Sequence, residues 1–491
     1  MQYYIDANTY YYLGGIFMFN SYEELENYIN ENDIMTLDFK IPQLKGNWKH
    51  LSVPASKIKK EIFTEGFGFD GSNYGYANVE ASDMVFIPDY TTAFVDPFWK
   101  ENTLAFLGRI YEVGPDGDKP FKDESRNVLL RSLEYMQENN YADKLILGPE
   151  FEYYIFDEVY YNNQSHNSGF SIYSQQAEWT QDNYDGFKVR HKKGYHLDAP
   201  HDRDRDFRAA VASLLEDTGI EVKYHHHEVG ASGQHEIETE RTEAAKIADD
   251  TMKIKYIIKN LAVKWGKTAT FMPKPLYGEA GNGFHIHMQL FKDDQSIFDS
   301  QESQYAGLSE QAMHFMGGIL KHTPALMGLT APSTNSYRRL VSGYEAPVSI
   351  CFSKANRSAV IRIPGYATSP KDRRFEFRPA DASGNSYLTY AALLMAGLDG
   401  LENSIDPIEQ GFGPIDKNIY ELSKEEQASL EFLPRNLSEA INELKNDHDF
   451  LLKGNVFSEN LIKTWIEEKA KEVEYINNRP TAEEFELYYD V

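Results

Sequence analysis

The sequence predicts an α+β protein in two parts, and three observations carry that reading. Up to about residue 112, short strand-like runs ("IMTLDFKIP", "DMVFIPD", "TLAFLGRIYEV") mix with one clear helical stretch, "SYEELENYINEN". From about residue 120, helices and strands alternate on a larger scale. Between the two lies "GPDGDKP", a turn-rich candidate linker. The chain is therefore expected to divide into a small domain over 1–115 and a larger one over 120–491.

In the larger part, "ESRNVLLRSLEYMQENN" is helical by period and leads into the strand "LILGPEFEYYIFD". "AAVASLLEDTG" is a helix followed by the strand-like "IEVKYHHHEV". The long helix "TEAAKIADDTMKIKYIIKNLAVKWG" precedes the strand "FHIHMQLF", and "SAVIRIP" and "RRFEFRP" are further strands. The C-terminal stretch is helical: Leu437, Ala440, Ile441 and Leu444 share one face, as do Leu461, Ile462, Trp465 and Ile466.

Composition removes several function classes. The 491 residues suffice for two or three domains and a large core. A net charge of −27 without basic patches argues against a nucleic-acid partner. The one cysteine, Cys351, lies in an apolar context and reads as a packing thiol in a reducing compartment. The N-terminus lacks a basic region followed by an apolar core, and no stretch is apolar enough to span a bilayer. A cytoplasmic protein without membrane partners is expected.

Glu150 and Glu152 pose the chemical question. In a strand, residues i and i+2 point to the same face, so two carboxylates project together from an otherwise apolar segment. Buried unpaired carboxylates are costly. Three other strand-like segments repeat the pattern: "HHHEVGASGQHEIE" brings Glu228 and Glu236, "GFHIHMQL" brings His285 and His287, and "RRFEFRP" brings Glu376. If these strands converge, five carboxylates crowd one cavity, and two divalent cations would neutralise them. Oxygen donors with a single imidazole suit Mg²⁺ or Mn²⁺, which most often serve phosphoryl transfer. The His225–His227 run lacks helical HExxH spacing and is read as structural or supporting, with a weak claim to ligand status.

Arginines supply the opposite charge. Arg338, Arg339, Arg357, Arg362, Arg374 and Arg378 concentrate in an acidic protein, and Arg362 and Arg378 sit in apolar strand-like runs. No standard nucleotide loop is present. "WGKTATF" lacks the upstream glycine of a Walker loop, and "GEAGNGFH" precedes a strand where a dinucleotide fingerprint needs a helix.

Together, "FGFDGSN", "GPEFEYYIFD", "KKGYHLDAP", "HHHEVGASGQHEIE", "FMPKPLYGEAGNGFHIHMQL", "TNSYRRLVSGYEAPVSI", "NRSAVIRIP", "RRFEFRPADASGNSYL", "LLMAGLDG" and "EFELYYDV" resemble class I glutamine synthetases in order and spacing, from about residue 60 onward. The resemblance implies a β-grasp N-terminal domain and a larger α/β catalytic domain around a strand-lined funnel. It also implies a cytoplasmic dodecamer of two hexameric rings with sites shared between neighbours. The reaction implied is ATP-dependent joining of ammonia to the γ-carboxylate of L-glutamate, through γ-glutamyl phosphate, to give L-glutamine.

By the same resemblance, Glu152, Glu228 and Glu236 hold one cation, and Glu150, His285 and Glu376 a second, with Mg²⁺ or Mn²⁺ as the metal. Asp70 (supplied to the adjacent subunit), Glu345 and Arg357 match catalytic positions, and Tyr195, Gly281, Arg339 and Arg378 match substrate-binding ones. Arg357, Arg362, Arg374 and His287 match the ATP-phosphate region, and Tyr420 matches a tyrosine that some relatives adenylylate. Departures fall at Ala280, where asparagine is usual and Asn282 is displaced downstream, and at Lys223, Gln289 and Asn73. Two rivals remain: a γ-glutamyl amide ligase for a larger amine, and a catalytically silent structural or signalling homologue. The retained Asp70, Tyr195 and Glu345 favour ammonium, and the complete ligand set disfavours silence.

Overall fold

A computed structural model describes residues 19–76, 83–114, 119–180, 186–303, 305–341, 346–354, 356–417, 422 and 430–491. Glu345, Tyr420 and the middle of "GPDGDKP" lie outside these residues.

The first helix, Tyr22–Glu31, starts where the Ser21 side chain accepts from the Glu24 amide at 3.2 Å. Glu24 reaches back to the Asn20 amide at 2.8 Å, so a donor on each side of the cap is satisfied. The helix buries Leu25 and Ile29. A four-stranded sheet runs Trp48–Pro54, Thr36–Pro42, Thr103–Phe106 and Phe94–Val95 in spatial order. Its central pair is parallel and its outer pairs antiparallel. Leu37, Phe39 and Ile41 face the core, while Asp38 and Lys40 occupy the opposite face, as a period of two requires. Lys40 lies 2.7 Å from Asp38 and 3.0 Å from Asp96, and Tyr256 donates to Asp96 at 2.8 Å. This buried ionic seam ties the N-terminal sheet to the long helix Ala244–Lys264. A second antiparallel sheet carries Phe67–Asp70 beside Asp83–Pro88, which leaves Asp70 exposed at a strand end.

The large sheet positions the site. Along it lie Val222–His227, Gln234–Thr239, Lys144–Phe156, Ile286–Lys292, Phe375–Phe377, Ala359–Arg362 and Ser349–Ser353. All these pairs are antiparallel except the last. Each strand predicted from sequence in the larger part is present.

Behind the sheet, helices Glu310–Thr330 and Ser386–Glu402 pack closely. A Cβ at Gly318 would lie 2.1 Å from the Ala396 carbonyl oxygen, and one at Gly400 would lie 2.1 Å from that of His314. Only glycine lets these backbones approach so closely. Ser386–Glu402 is apolar on nearly every side because it is enclosed on every side.

Between these helices His322 is buried, with Nδ1 2.8 Å from Asp447 and Nε2 2.9 Å from Asp399. Burial pulls its pKa down, but hydrogen bonds to the two carboxylates outweigh that and raise it above the usual histidine range. Lys453 (2.7 Å) and Lys321 (3.4 Å) approach Asp399 from the other side. With the folded pKa above the unfolded one, the stabilisation is complete below the unfolded value of about 6.5 and is lost as pH rises through the folded one. The melting-temperature advantage of wild type over His322→Gln should therefore be larger at about pH 6 than at about pH 9. An advantage that stays constant or grows with pH contradicts this.

Candidate active site

Strand register builds the site in two rows. His226 pairs with Glu236, which pairs with Glu152 on the next strand. Arg362 pairs with Glu376, which pairs with His287. Directly opposed residues share a face. Glu150 sits two residues before Glu152, so the two rows join into one lining, as the i, i+2 spacing predicts.

The lining encloses a cleft of about 1150 Å³. Glu150, Glu152, Glu228, Glu236, His285 and Glu376 all line it, so every residue expected to bind a cation faces one space. Two clusters have ligand atoms within 4.8 Å of one another: Glu150, His287 and Glu376, and His226, Glu228 and Glu236. His285 stands beside the first cluster, its Nδ1 2.8 Å from Glu150.

The electrostatics differs between the two clusters. Burial, then the charges of Glu152 and its neighbour, hold the Glu228 carboxyl well above the usual range, and burial with Glu150 and Glu152 does the same to Glu236. Burial also acts upward on Glu150, but hydrogen bonds from His285 and His287 outweigh it and hold that carboxyl well below. Burial raises Glu376 too, and Arg378 and His287 more than reverse it. Glu228 Oε2 is buried and accepts no hydrogen bond among the described residues.

Arginines share the cleft with these acids. Arg339, Arg357, Arg362 and Arg378 line the cleft. Arg339 is 5% exposed and donates to the carbonyls of Arg378 (2.9 Å) and Pro379 (2.9 Å), which fix it without neutralising it. Arg362 and Arg378 both donate to Glu376. Arg374 is set back in the wall, donating to the Asp372 carbonyl and to Tyr366, the cleft residue in front of it.

Backbone design keeps the centre open. A Cβ at Gly283 would lie 2.8 Å from Arg339 Nη2, 2.9 Å from His285 Nε2 and 3.1 Å from Glu152 Oε1. The Gly283 amide donates to Glu152 at 2.7 Å and fixes that carboxylate. Gly281 lines the cleft and its carbonyl accepts from Gln234 at 3.0 Å. The displaced Asn282 is buried behind the loop, where it donates to the Met272 carbonyl and accepts from Gln234. It therefore does not take the place that Ala280 leaves without an amide. Gln289 is held by Arg241 and Ser296, and Lys223 is paired with Glu238 at 2.6 Å.

Tyr195 lies on the cleft wall, 57% exposed, with its ring 4.0 Å from that of His196. Asp70 does not line the cleft of its own chain among the described residues. Its carboxylate caps a short turn, accepting from the Ser72 amide at 2.9 Å and Asn73 at 3.0 Å. All three histidines of the His225–His227 run line the cleft, and the ligand atom of His226 lies within 4.8 Å of those of Glu228 and Glu236.

The arrangement gathers acids and arginines around a space large enough for a nucleotide and an amino acid. Known proteins carry the same architecture. The family profile for the glutamine synthetase beta-Grasp domain matches residues 33–113, and that for the glutamine synthetase catalytic domain matches residues 122–488. Glutamine synthetase of Frankia alni is 42% identical across 96% of this chain and 100% of its own length. That of Aquifex aeolicus is 41% identical across 96% and 99%. A cryo-EM structure of Plasmodium falciparum glutamine synthetase superposes with a TM-score of 0.86 at 29% identity, covering 96% of this chain and 99% of that one. A GmaS/ADP complex gives 0.79 at 27% identity, with 95% and 99% covered. Matched across both domains and nearly end to end, the chain belongs to the glutamine synthetase family.

Proposed function

We propose that this chain joins ammonia to the γ-carboxylate of L-glutamate at the expense of ATP, giving L-glutamine, ADP and phosphate. The observation that carries the reading is the cleft in which five glutamates and His285 gather with Arg339, Arg357, Arg362 and Arg378.

The residues fit divalent cations. The donors are carboxylates and imidazoles, Glu228 Oε2 is buried with an unused lone pair, and Gly283 leaves space where a Cβ would intrude. Glu152, Glu228 and Glu236 would hold one cation, and Glu150, Glu376 and one of His285 or His287 another. When bound, Mg²⁺ or Mn²⁺ supplies charge neutralisation for the phosphates and polarises the transferred group.

The protein's own residues do the rest. Arg357 and Arg362 orient the phosphates of ATP, with Arg374 behind Tyr366 bracing that wall. Arg378 and Arg339 hold the glutamate carboxylates so that the γ-oxygen meets the terminal phosphorus, which leaves ADP and an acyl phosphate. With Ala280 in place of an amide side chain, the glutamate main chain is met by backbone at Ala280 and Gly281. Ammonium docks against Tyr195 and Glu228. Asp70 of a neighbouring copy and Glu345 take its proton, since only ammonia is nucleophilic. Ammonia attacks the acyl carbon and phosphate departs.

Exposure of Asp70 away from its own cleft supports sites shared between copies, in a dodecamer of two hexameric rings. Apolar surface supports the same assembly: Tyr160, Tyr161 and Phe170 stand exposed on the hairpin Glu158–Tyr173, and Phe485, Leu487 and Tyr488 on the helix Ala482–Tyr488. No helix among the described residues is long and apolar enough to cross a membrane, in keeping with a cytoplasmic enzyme.

Phosphate release from ATP and glutamate tests the reading. Release that depends on ammonium is expected. Release only with methylamine or a polyamine would establish the amide-ligase alternative, and no release with any amine would leave a silent homologue.

A further inference from the structure

We infer that a second cavity, between the strand Trp48–Pro54 and the helix Ala244–Lys264, binds a small aromatic anion. It encloses about 360 Å³, within the range of small-molecule sites, and shares no lining residue with the cleft. The inference therefore stands apart from the reading of the cleft as an ammonia ligase.

Charge is the first observation. Lys40, Lys49, Lys255 and Lys259 line the cavity, and among the described residues no carboxylate does, in a chain of net charge −27. Lys40 is already neutralised by Asp38 and Asp96, and Lys49 donates to the Asn73 carbonyl at 2.8 Å. Lys255 and Lys259 are different. They stand one turn apart on one helix face, and neither forms an ion pair among the described residues. Lys255 donates to the Ala382 carbonyl at 2.7 Å, whereas Lys259 makes no hydrogen bond among these residues. Burial, then the charge of Lys259, press the Lys255 ammonium down to about 7, and Asp381 offsets this only in part. A bound anion would keep both amines charged and supply the counter-charge they lack.

Shape is the second observation. Trp48, Trp99 and Tyr256 all line the space. The Trp48 and Tyr256 rings lie 5.7 Å apart, tilted by 49°, and His50 stacks on Trp99 at 6.0 Å. Trp99 is nevertheless 51% exposed, a large indole left open to solvent beside the cavity. Aromatic walls favour a flat apolar body, and two neighbouring ammonium groups favour a carboxylate or a phosphate attached to it. The cavity joins a strand of the N-terminal sheet to a helix of the larger part, so an occupant would bridge them and raise the melting temperature.

Calorimetric titration of the full-length protein in its native assembly tests this. The probes are 2-naphthoate and 2-naphthyl phosphate, with 2-naphthylmethylamine as a cation of the same ring and acetate as an anion without one. At least one ring anion should bind once per chain, at least tenfold tighter than either control, and the tighter of the two identifies the anionic group. Lys259→Met keeps the apolar stem, breaks no hydrogen bond and should weaken that binding about tenfold, with circular dichroism and assembly size unchanged. Adding Lys255→Met should weaken it about tenfold again. Binding that survives both substitutions belongs elsewhere, in the arginine-lined cleft for instance, and overturns the assignment. So does equal affinity for the amine, or no binding of either ring anion to the correctly assembled protein.

Discussion

Glu236→Gln should lower turnover about 10³-fold while raising the melting temperature of the cation-free protein. The loss follows from the cation's worth. A metal at a transferring phosphoryl group supplies several kcal/mol, and each ~1.4 kcal/mol is a factor of ten. The gain follows from the sign of the shift at Glu236. Burial and its acidic neighbours hold its carboxyl well above the unfolded value, so above that unfolded value the ionised group destabilises the fold. Glutamine keeps the volume and removes the charge. The rise in melting temperature on adding Mn²⁺ should shrink in the same variant, because binding to the native state is what raises it. Calorimetry with and without Mn²⁺, beside a steady-state assay, checks all three. A variant that turns over normally, or one whose cation-free form melts lower with an undiminished Mn²⁺ response, contradicts the role given to Glu236.

Asp70→Ala should lower the ammonium-dependent rate by about 10²- to 10⁴-fold, the usual contribution of a positioned proton acceptor, with ATP binding unchanged. Asp70 is exposed and lies outside its own cleft, so under the proposed shared-site arrangement the defect would fall in the neighbour's site. Mixed oligomers of Asp70→Ala and Glu236→Gln chains should regain activity. In such oligomers some interfaces join an intact aspartate to an intact cleft. Verified mixed oligomers that stay as inactive as either parent would sink the shared site. Equal loss of ATP binding and ammonia use in Asp70→Ala would sink its role in proton transfer.

Much of the site was legible because strand periodicity is simple. Glu150 and Glu152 face one way since alternate residues must, and an acid flanked by phenylalanines, as at Glu376, stands out in any reading. Register was not legible. Nothing local says that Glu236 lies opposite Glu152, or His287 opposite Glu376, because pairing is settled by which faces the whole sheet buries. For the same reason the histidine among His225–His227 that stands among the carboxylates, His226, could not be singled out. Asn282 is a different case: its amide seemed a displaced version of the missing one, but the buried Gln234 and the Met272 carbonyl claim it. The helices Glu310–Thr330 and Ser386–Glu402 gave little amphipathic pattern because both are enclosed, and Pro324 interrupts the first. The exposed hairpin Glu158–Tyr173 also went unread, since its outward aromatics mimic a core strand.

The donors of the Glu150, His287 and Glu376 cluster come from three strands far apart in the chain, with helices between each and the next. No short fragment of the polypeptide contains that set, so an unfinished chain cannot complete this half of the site, whereas His226, Glu228 and Glu236 lie within one hairpin. Capture of the Mn²⁺ held by Glu150 and Glu376 should therefore arrive late in refolding, after the most distant loops have closed, and would mark the moment at which the architecture is complete.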